Sequence, residues 1–159
     1  RMIARHGQEK RHQHKVHGRN SRLDALQAAI LSIKIKYLEE WTEQRIQHAQ
    51  QYQEQLADIS EIQLPTARPD CRHVYHTYVI RTDRRDALKE HLAKQQIQSA
   101  VYYPKALPFQ PCYQEYNPQP ADFPVVQKYQ NEVLSLPMYP ELTEEAIHRV
   151  SLAVKDFLM

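Results

Sequence analysis

The organisation of this chain is set by the stretch Gly18-Arg19-Asn20-Ser21-Arg22-Leu23-Asp24 and by the long segment that follows it. Ser21 and Asp24 have the spacing of a capping box, in which a hydroxyl and a carboxylate satisfy free backbone amides where a helix begins. Apolar side chains then recur at helical spacing as far as Trp41, and no proline or glycine interrupts the segment. We therefore predict one long connecting helix over residues 21–57. A coiled-coil arm is the weaker alternative, because the apolar period is nearer to a helical repeat than to a heptad repeat.

Residues 58–159 alternate strand-like and helix-like segments after a proline-containing loop over residues 58–72. Stretches rich in β-branched and aromatic residues predict three strands, over residues 73–80, 97–103 and 134–137. Capping residues and amphipathic spacing predict three helices: one that Asp83 caps, one over residues 123–133 and one that Thr143 caps. This order favours a small α/β layer domain that is reached through the connecting helix.

The opening residues 1–24 are basic, with seven lysines and arginines against two acidic residues, a net charge of +5. Such a segment suits the phosphate of a nucleic acid, a nucleotide or a phosphorylated cofactor, and a solvated loop is the structural alternative. It lacks the interleaved aromatic residues of a single-strand binder. His12, His14 and His17 match no standard metal-ligand spacing, so we predict no metal site.

Composition excludes several classes of protein. The chain has only two glycines, too few for a Gly-rich phosphate loop, which excludes Walker A and Rossmann nucleotide binders. The two cysteines, Cys71 and Cys112, suggest neither a disulfide framework nor a zinc site, which favours a reducing cytoplasm. No apolar run has membrane-spanning length. Because the chain opens at Arg1, without an initiator or a cap, we expect it to be a piece of a longer protein.

The turn at residues 18–22 is the one place where the residues themselves suggest chemistry. It brings an amide, a hydroxyl and two guanidinium groups to the start of a long helix, and both helix starts and arginine side chains bind anions. We therefore consider an anion site here, against the alternative of a capped helix start with two surface arginines. Elsewhere the spacing supports no Ser-His-Asp, Cys-His or paired-carboxylate arrangement.

Two blocks of sequence carry a resemblance to a known family. The first continues the Gly18–Asp24 stretch into Ala25-Leu26-Gln27-Ala28-Ala29, and the second is Ser135-Leu136-Pro137-Met138-Tyr139-Pro140. Together they closely resemble the DegT/DnrJ/EryC1/StrS family of pyridoxal-phosphate-dependent nucleotide-sugar aminotransferases, over essentially the whole chain. The resemblance implies an α/β fold, the C-terminal small domain of a type I aminotransferase reached through a long connecting helix. Residues 1–20 would end the large cofactor-binding domain, residues 21–57 would connect, and residues 58–159 would form the small domain.

The resemblance also implies an activity. Such an enzyme is a cytoplasmic homodimer that moves an amino group from glutamate, through pyridoxal 5'-phosphate, to a nucleotide-linked keto-sugar. The opening His6-Gly7-Gln8 and the basic segment favour relatives that act on 3-keto sugars for surface polysaccharide or O-antigen biosynthesis. The family's lysine motif is absent around each of four lysines: Lys10, Lys15, Lys34 and Lys36. We therefore expect the catalytic lysine to lie outside this chain, which alone would not be catalytic.

Site roles follow from the same resemblance. Asn20 is implied to reach the cofactor phosphate that is bound in the partner subunit. Arg22 is implied to face the nucleotide sugar and to contact a carboxylate or a phosphate there. Tyr102 stands where relatives commonly have a histidine that contacts substrate, and it can donate one hydrogen bond but carries no charge at neutral pH.

Two alternatives stay open on the sequence. A non-catalytic regulatory or degenerate family member, acting as an interaction module, would also lack the lysine. A nucleic-acid binder that uses the basic segment is the second alternative. As partners of this chain we expect neither a nucleic acid nor a membrane.

Overall fold

The structure, a computed structural model, describes all residues from 1 to 159 and divides into two compact units, residues 1–39 and residues 40–159. The first unit contains a short hairpin and a helix: β1 (Gln8–Lys10), β2 (Gln13–His14) and α1 (Ala25–Lys34). A 3-10 turn, Ile35–Tyr37, follows α1 and leads into α2 (Leu38–Leu56). The backbone is therefore helical from residue 25 to residue 56, with a 3-10 turn inside the segment for which the sequence predicts an unbroken helix.

The start of α1 differs from the prediction. Asp24 is the N-cap, and its carboxylate accepts a hydrogen bond from the backbone N–H of Leu26 at 2.8 Å. A capping box would instead satisfy the backbone N–H of Ser21, but that group donates to the carbonyl oxygen of Ala4 at 2.9 Å. The expected capping box is therefore wrong, because pairing with the opening segment has already satisfied the donor that it would serve.

Helix α1 has a mostly apolar surface and no buried residue. Its large aliphatic side chains are all exposed: Leu26, Ile30, Leu31 and Ile33. A helix that is apolar on most sides is normally covered. The first unit itself therefore leaves this surface open.

The second unit is built on an antiparallel pair of strands, β3 (Tyr78–Arg81) and β4 (Val133–Leu136). The pairing runs from Tyr78 opposite Leu136 to Arg81 opposite Val133. Two single bridges extend the pair on its outer edges, one between Gln63 and Arg81 and the other between Ala100 and Ser135. Segments that are otherwise irregular thus lie against both edges of the strand pair.

Helices cover this strand pair and close the core. They are α2, α3 (Arg85–Lys94), α4 (Pro124–Glu132) and α5 (Glu144–Leu158). Fully buried side chains from the strands and from α2, α3 and α5 form one apolar cluster, which includes Tyr52, Leu56, Tyr78, Ile80, Leu88, Leu92, Leu134, Ile147 and Val154. No helix of the structure combines the length and the apolar character needed to cross a bilayer.

The helix predictions of the second unit are confirmed where the end signals are strong. Pro124 occupies the first turn of α4, where its missing N–H costs nothing. Thr143 caps α5, and its hydroxyl accepts a hydrogen bond from the backbone N–H of Ala146 at 3.2 Å. The cap expected at Asp83 is wrong, because α3 begins at Arg85 and the preceding turn is held by the Thr82 hydroxyl, which accepts from the N–H of Arg84.

The strand predictions are only partly confirmed. The expected strand over residues 73–80 begins at Tyr78, because Tyr75 has a φ of +45° and its N–H donates to the ring of His73 at 3.0 Å. The expected strand over residues 97–103 is reduced to the bridge at Ala100. Both segments have strand-like composition, but neither has a partner along its whole length.

Two buried tyrosines predict how the stability of the second unit depends on pH. Tyr52 and Tyr78 stack with ring centroids 4.9 Å apart, and burial raises the pKa of both hydroxyls well above the ordinary value. The hydroxyl of an unfolded tyrosine loses its proton at about pH 10, whereas the hydroxyls of the two folded tyrosines stay protonated to higher pH. Their contribution to the free energy of unfolding is therefore fully present below pH ~10 and is lost as the pH rises further.

Urea unfolding at a series of alkaline pH values measures this loss. Replacing both residues, Tyr52→Phe with Tyr78→Phe, should flatten the fall in stability above pH ~10, because phenylalanine cannot ionise. Tyr116→Phe is the matched control, since that side chain is 73% exposed. An equally steep fall in the double variant would show that the ionisation of Tyr52 and Tyr78 does not cause the loss of stability.

Candidate functional site

The two glycines of the chain lie where two segments of main chain cross. Gly7 has a φ of +74°, and a Cβ placed on it would lie 1.7 Å from the carbonyl oxygen of Val16. A Cβ placed on Gly18 would lie 2.1 Å from the backbone nitrogen of Gly7. Because the atoms that would be struck belong to the backbone, only glycine fits at either position. This glycine crossing (Gly7 and Gly18) fixes where the turn at residues 18–22 leaves the opening segment.

Backbone hydrogen bonds extend the glycine crossing toward the turn. The N–H of His6 donates to the carbonyl of Arg19 at 3.1 Å, and the N–H of Arg19 donates to the carbonyl of Ile3 at 2.8 Å. Asn20 is bridged to Arg5 in antiparallel fashion. The main chain of Asn20 is therefore fixed on both sides, while its side chain stays exposed.

The side chains of Asn20 and Arg22 are joined by a hydrogen bond. The Nε of Arg22 donates to the Oδ1 of Asn20 at 3.2 Å. This bond occupies the acceptor end of the amide and leaves the Nδ2 group, with its two hydrogens, as the end that can donate to a ligand. The pair thus presents hydrogen-bond donors and a positive charge, which is a combination suited to an anion.

An open concavity of about 830 Å³ lies beside this pair, within the first unit. Its charged lining residues are Arg1, Arg5, Arg22 and Asp24. Asp24 is engaged in capping α1, through its bond from the Leu26 N–H. The excess of positive charge and the helix start both favour a bound anion, and no lysine is among the lining residues.

Tyr102, the third predicted site residue, belongs to the second unit. Its side chain is 63% exposed and lines two adjoining grooves, of about 690 Å³ and 310 Å³. His76, Thr77 and Ser135 line both grooves as well. The phenol of Tyr102 is thus open to a ligand and lies among further polar side chains.

The structure brings Asn20 and Arg22 together and places Tyr102 in the other unit. Sequence reasoning identified Gly18 only as the start of a turn, and it gave Gly7 no structural role. Gly18 has no positive φ, so its need for glycine comes from close approach rather than from turn geometry. The scarcity of glycine was the signal that could have pointed to this role, since both glycines of the chain take part in the crossing.

The sequence profile of the DegT/DnrJ/EryC1/StrS aminotransferase family matches residues 1–155. This chain belongs to that family. The resemblance of the Asn-Ser-Arg turn and of the Ser-Leu-Pro-Met block is therefore confirmed as a family relationship.

The curated relatives of this chain include a protein named as a regulator and proteins named as transaminases. A pleiotropic regulatory protein of Geobacillus stearothermophilus is 41% identical over 99% of the chain. A dTDP-3-amino-3,6-dideoxy-alpha-D-galactopyranose transaminase of Aneurinibacillus thermoaerophilus is 38% identical over 98% of it. The chain covers 43% and 42% of the length of these relatives, so it spans less than half of each.

Solved structures confirm the fold class of this family member. DesV of S. venezuelae, solved in complex with a ketimine intermediate, superposes with a TM-score of 0.93 at 35% identity, over 99% of this chain and 43% of that one. The mixed α/β fold expected from the sequence is thus that of the matching part of a pyridoxal-phosphate aminotransferase.

The residues present fit the phosphate of the family's cofactor. Pyridoxal phosphate carries a dianionic phosphate, and Asn20 and Ser21 line the concavity beside a helix start and an excess of positive charge. The same lining has no lysine to hold the cofactor covalently. The concavity therefore suits the phosphate end of the cofactor and not its aldehyde end.

Proposed function

We propose that this chain is part of a nucleotide-sugar aminotransferase. The enzyme transfers an amino group from glutamate, by way of pyridoxal 5'-phosphate, to a keto-sugar that is linked to a nucleotide. The observation that carries the proposal is the Asn20–Arg22 pair beside a basic concavity, in a chain that belongs to an aminotransferase family.

The ketone would stand at carbon 3 of the sugar. This detail is supported by the 38% identical relative, whose name specifies a 3-amino sugar product. A product destined for surface polysaccharide or O-antigen would follow from the same sequence features, the His-Gly-Gln opening and the basic segment.

The cofactor-holding lysine is proposed to lie outside these 159 residues. The lysines support this, because all but one are exposed: Lys10, Lys15, Lys34, Lys36, Lys89, Lys94, Lys105 and Lys128. The remaining one, Lys155, is half-buried and pairs with Asp58 at 3.0 Å. Lys15 is also paired with Glu9, at 2.9 Å. A Schiff-base lysine needs a lowered pKa, which burial or a neighbouring cation produces. The chain alone would then bind the cofactor through its phosphate and would not transaminate.

Each candidate residue has a definite task in this scheme. The Nδ2 group of Asn20 donates to the cofactor phosphate held mainly by the partner subunit of a homodimer. Arg22 keeps the amide of Asn20 oriented and contacts a carboxylate or phosphate of the nucleotide sugar. The hydroxyl of Tyr102 donates a hydrogen bond to the same substrate. The cofactor supplies the electron sink that the amino transfer needs.

Asn20→Ala should weaken the binding of pyridoxal phosphate to the full-length protein about tenfold, the usual result of losing a hydrogen bond to a charged group. Asn20→Asp should weaken it further, because the new carboxylate still accepts from Arg22 but repels the phosphate. Equilibrium dialysis followed by cofactor absorbance measures both variants. Gln47→Ala, which removes an exposed amide from α2, is the control.

The Asn20→Asp variant separates a ligand contact from a structural role. If Asn20 served only to brace Arg22, the aspartate would preserve that bond and would bind the cofactor at least as well as the alanine variant. Unchanged cofactor affinity in both variants would also overturn the assignment.

A regulatory role is the second candidate function. The name of the 41% identical relative, a pleiotropic regulatory protein, favours it. Glutamate-dependent amination of a nucleotide-linked 3-keto sugar by the full-length protein distinguishes the two candidates. Retention of pyridoxal phosphate without any amination would favour the regulatory role.

A further inference from the structure

The segment that carries Tyr102 leaves the strand pair immediately before that residue. Ala100 is the last residue paired to β4: its N–H donates to the carbonyl of Ser135 at 3.1 Å, and the reciprocal bond measures 2.8 Å. Between Val101 and the start of α4 the backbone forms no strand. Val101 packs against the apolar cluster, and beyond it the position of Tyr102 depends on where the chain is next held.

The next fixed point is Ala106, which is only 4% exposed. Its backbone N–H donates to the side-chain Oε1 of Gln130 on α4 at 2.9 Å. Tyr102 and Tyr103 are both exposed and lie between these two anchors, the bridge at Ala100 and the side chain of Gln130. The five residues from 101 to 105 thus form a strap between these anchors, in which Val101 packs against the apolar cluster and the carbonyl of Lys105 accepts from the Nε2 of Gln110 at 3.0 Å.

Gln130 is itself held firmly, which makes it suitable as an anchor. Its side-chain Nε2 donates to the Oε1 of Gln127 at 2.9 Å, so the orientation of the amide is fixed. Its carbonyl accepts from the Nη1 of Arg85 at 3.2 Å, and the same nitrogen also donates to the carbonyl of Val133. Arg85 is 7% exposed and packs in the second unit. The anchor is therefore connected to α3 and to the start of β4.

We propose that Gln130 is a positioning residue for substrate binding: it holds the strap over residues 101–105 so that the exposed Tyr102 stands ready to contact the nucleotide sugar. Gln130 acts through Tyr102 and does not touch the substrate. The inference rests on the proposed function in one respect, the identity of the ligand that Tyr102 meets. The tether between Gln130 and Ala106 stands on the hydrogen bond itself.

Gln130→Ala and Gln130→Glu test the tether in the full-length protein. Alanine removes the acceptor, so the amide of Ala106 should exchange its hydrogen faster, and the KM for the nucleotide sugar should rise about fivefold, as the loss of one ordinary hydrogen bond predicts. Glutamate keeps an oxygen at the same reach and loses only the Nε2 donor to Gln127, so both values should lie between those of the alanine variant and those of the unaltered protein. Asn131→Ala, at the neighbouring exposed position of α4, is the control.

The KM for glutamate distinguishes a positioning role from a general structural one. We expect it to stay unchanged in Gln130→Ala, because glutamate does not depend on Tyr102 in this scheme. An equal rise in both KM values, or unchanged exchange at Ala106, would overturn the proposal. If Ala106 exchange accelerates while the unaltered protein aminates no nucleotide sugar, the proposed function fails and so does the substrate role of Gln130, leaving only its tether.

Discussion

Alanine at Gly7 or Gly18 is expected to disrupt the fold of the first unit and, in the full-length protein, to weaken the proposed cofactor binding at least as much as Asn20→Ala. A Cβ on Gly7 would meet the Val16 carbonyl at 1.7 Å, and the positive φ of Gly7 adds strain. A Cβ on Gly18 would meet the backbone of Gly7 and of His6, at 2.1 Å and 2.5 Å. Backbone atoms cannot rotate away as a side chain can, so each substitution should cost at least about 3 kcal/mol, the upper end of ordinary overpacking.

Hydrogen exchange measures this effect where it arises. The amides of His6 and Arg19, which bond across the opening segment, should lose protection in both glycine variants, and the full-length variants should bind pyridoxal phosphate at least about tenfold more weakly. Gln13→Ala, an exposed change in β2, should alter neither. Protected amides at His6 and Arg19 in the Gly18→Ala protein would show that the two segments do not cross as closely as the structure has them.

Tyr52→Ala is expected to produce the largest loss of stability in the second unit. The side chain is fully buried, stacks on Tyr78, and its hydroxyl donates to the carbonyl of Pro137 at 3.1 Å. Removing a buried aromatic ring typically costs about 3–5 kcal/mol, because the cavity is only partly filled by relaxation. Tyr52→Phe keeps the ring and loses only the hydrogen bond, so it should cost about 1 kcal/mol.

Urea unfolding of the two variants, compared under the same conditions, separates the ring from the hydroxyl. Tyr116→Ala removes an aromatic ring of the same kind from an exposed position and should change the free energy of unfolding by less than about 0.5 kcal/mol. If Tyr52→Ala cost no more than this control, the packing of α2 against the strand pair would be different from that described.

The helices of the second unit could be predicted because their signals are local. Pro124 and Thr143 identify the starts of α4 and α5 from single residues and their immediate neighbours. Strand formation depends on a partner elsewhere in the chain, so composition overestimated both the segment at 73–77 and the one at 97–103. Ala100 is paired only because Ser135 is within reach.

The hydrogen-bond donors of the candidate site could be listed from the sequence, but the way in which they are held could not. The amide of Asn20 and the guanidinium of Arg22 could be read from the sequence as donors for an anion. Their mutual hydrogen bond could not, because it depends on how the turn is set by the opening segment. The tether from Gln130 to Ala106 joins residues 24 positions apart, and no local pattern indicates it.

The meeting of Gly7 and Gly18 has a consequence for how this part of the molecule can be altered. The backbone crosses itself at the base of the β1–β2 hairpin, so residues 8–17 begin and end at the same fixed point. Val16 and Lys15 contact Gly7 and belong to the crossing, whereas the tip between β1 and β2, residues 11–12, lies outside it. Engineering of this part of the chain can therefore act there without altering Asn20 or Arg22.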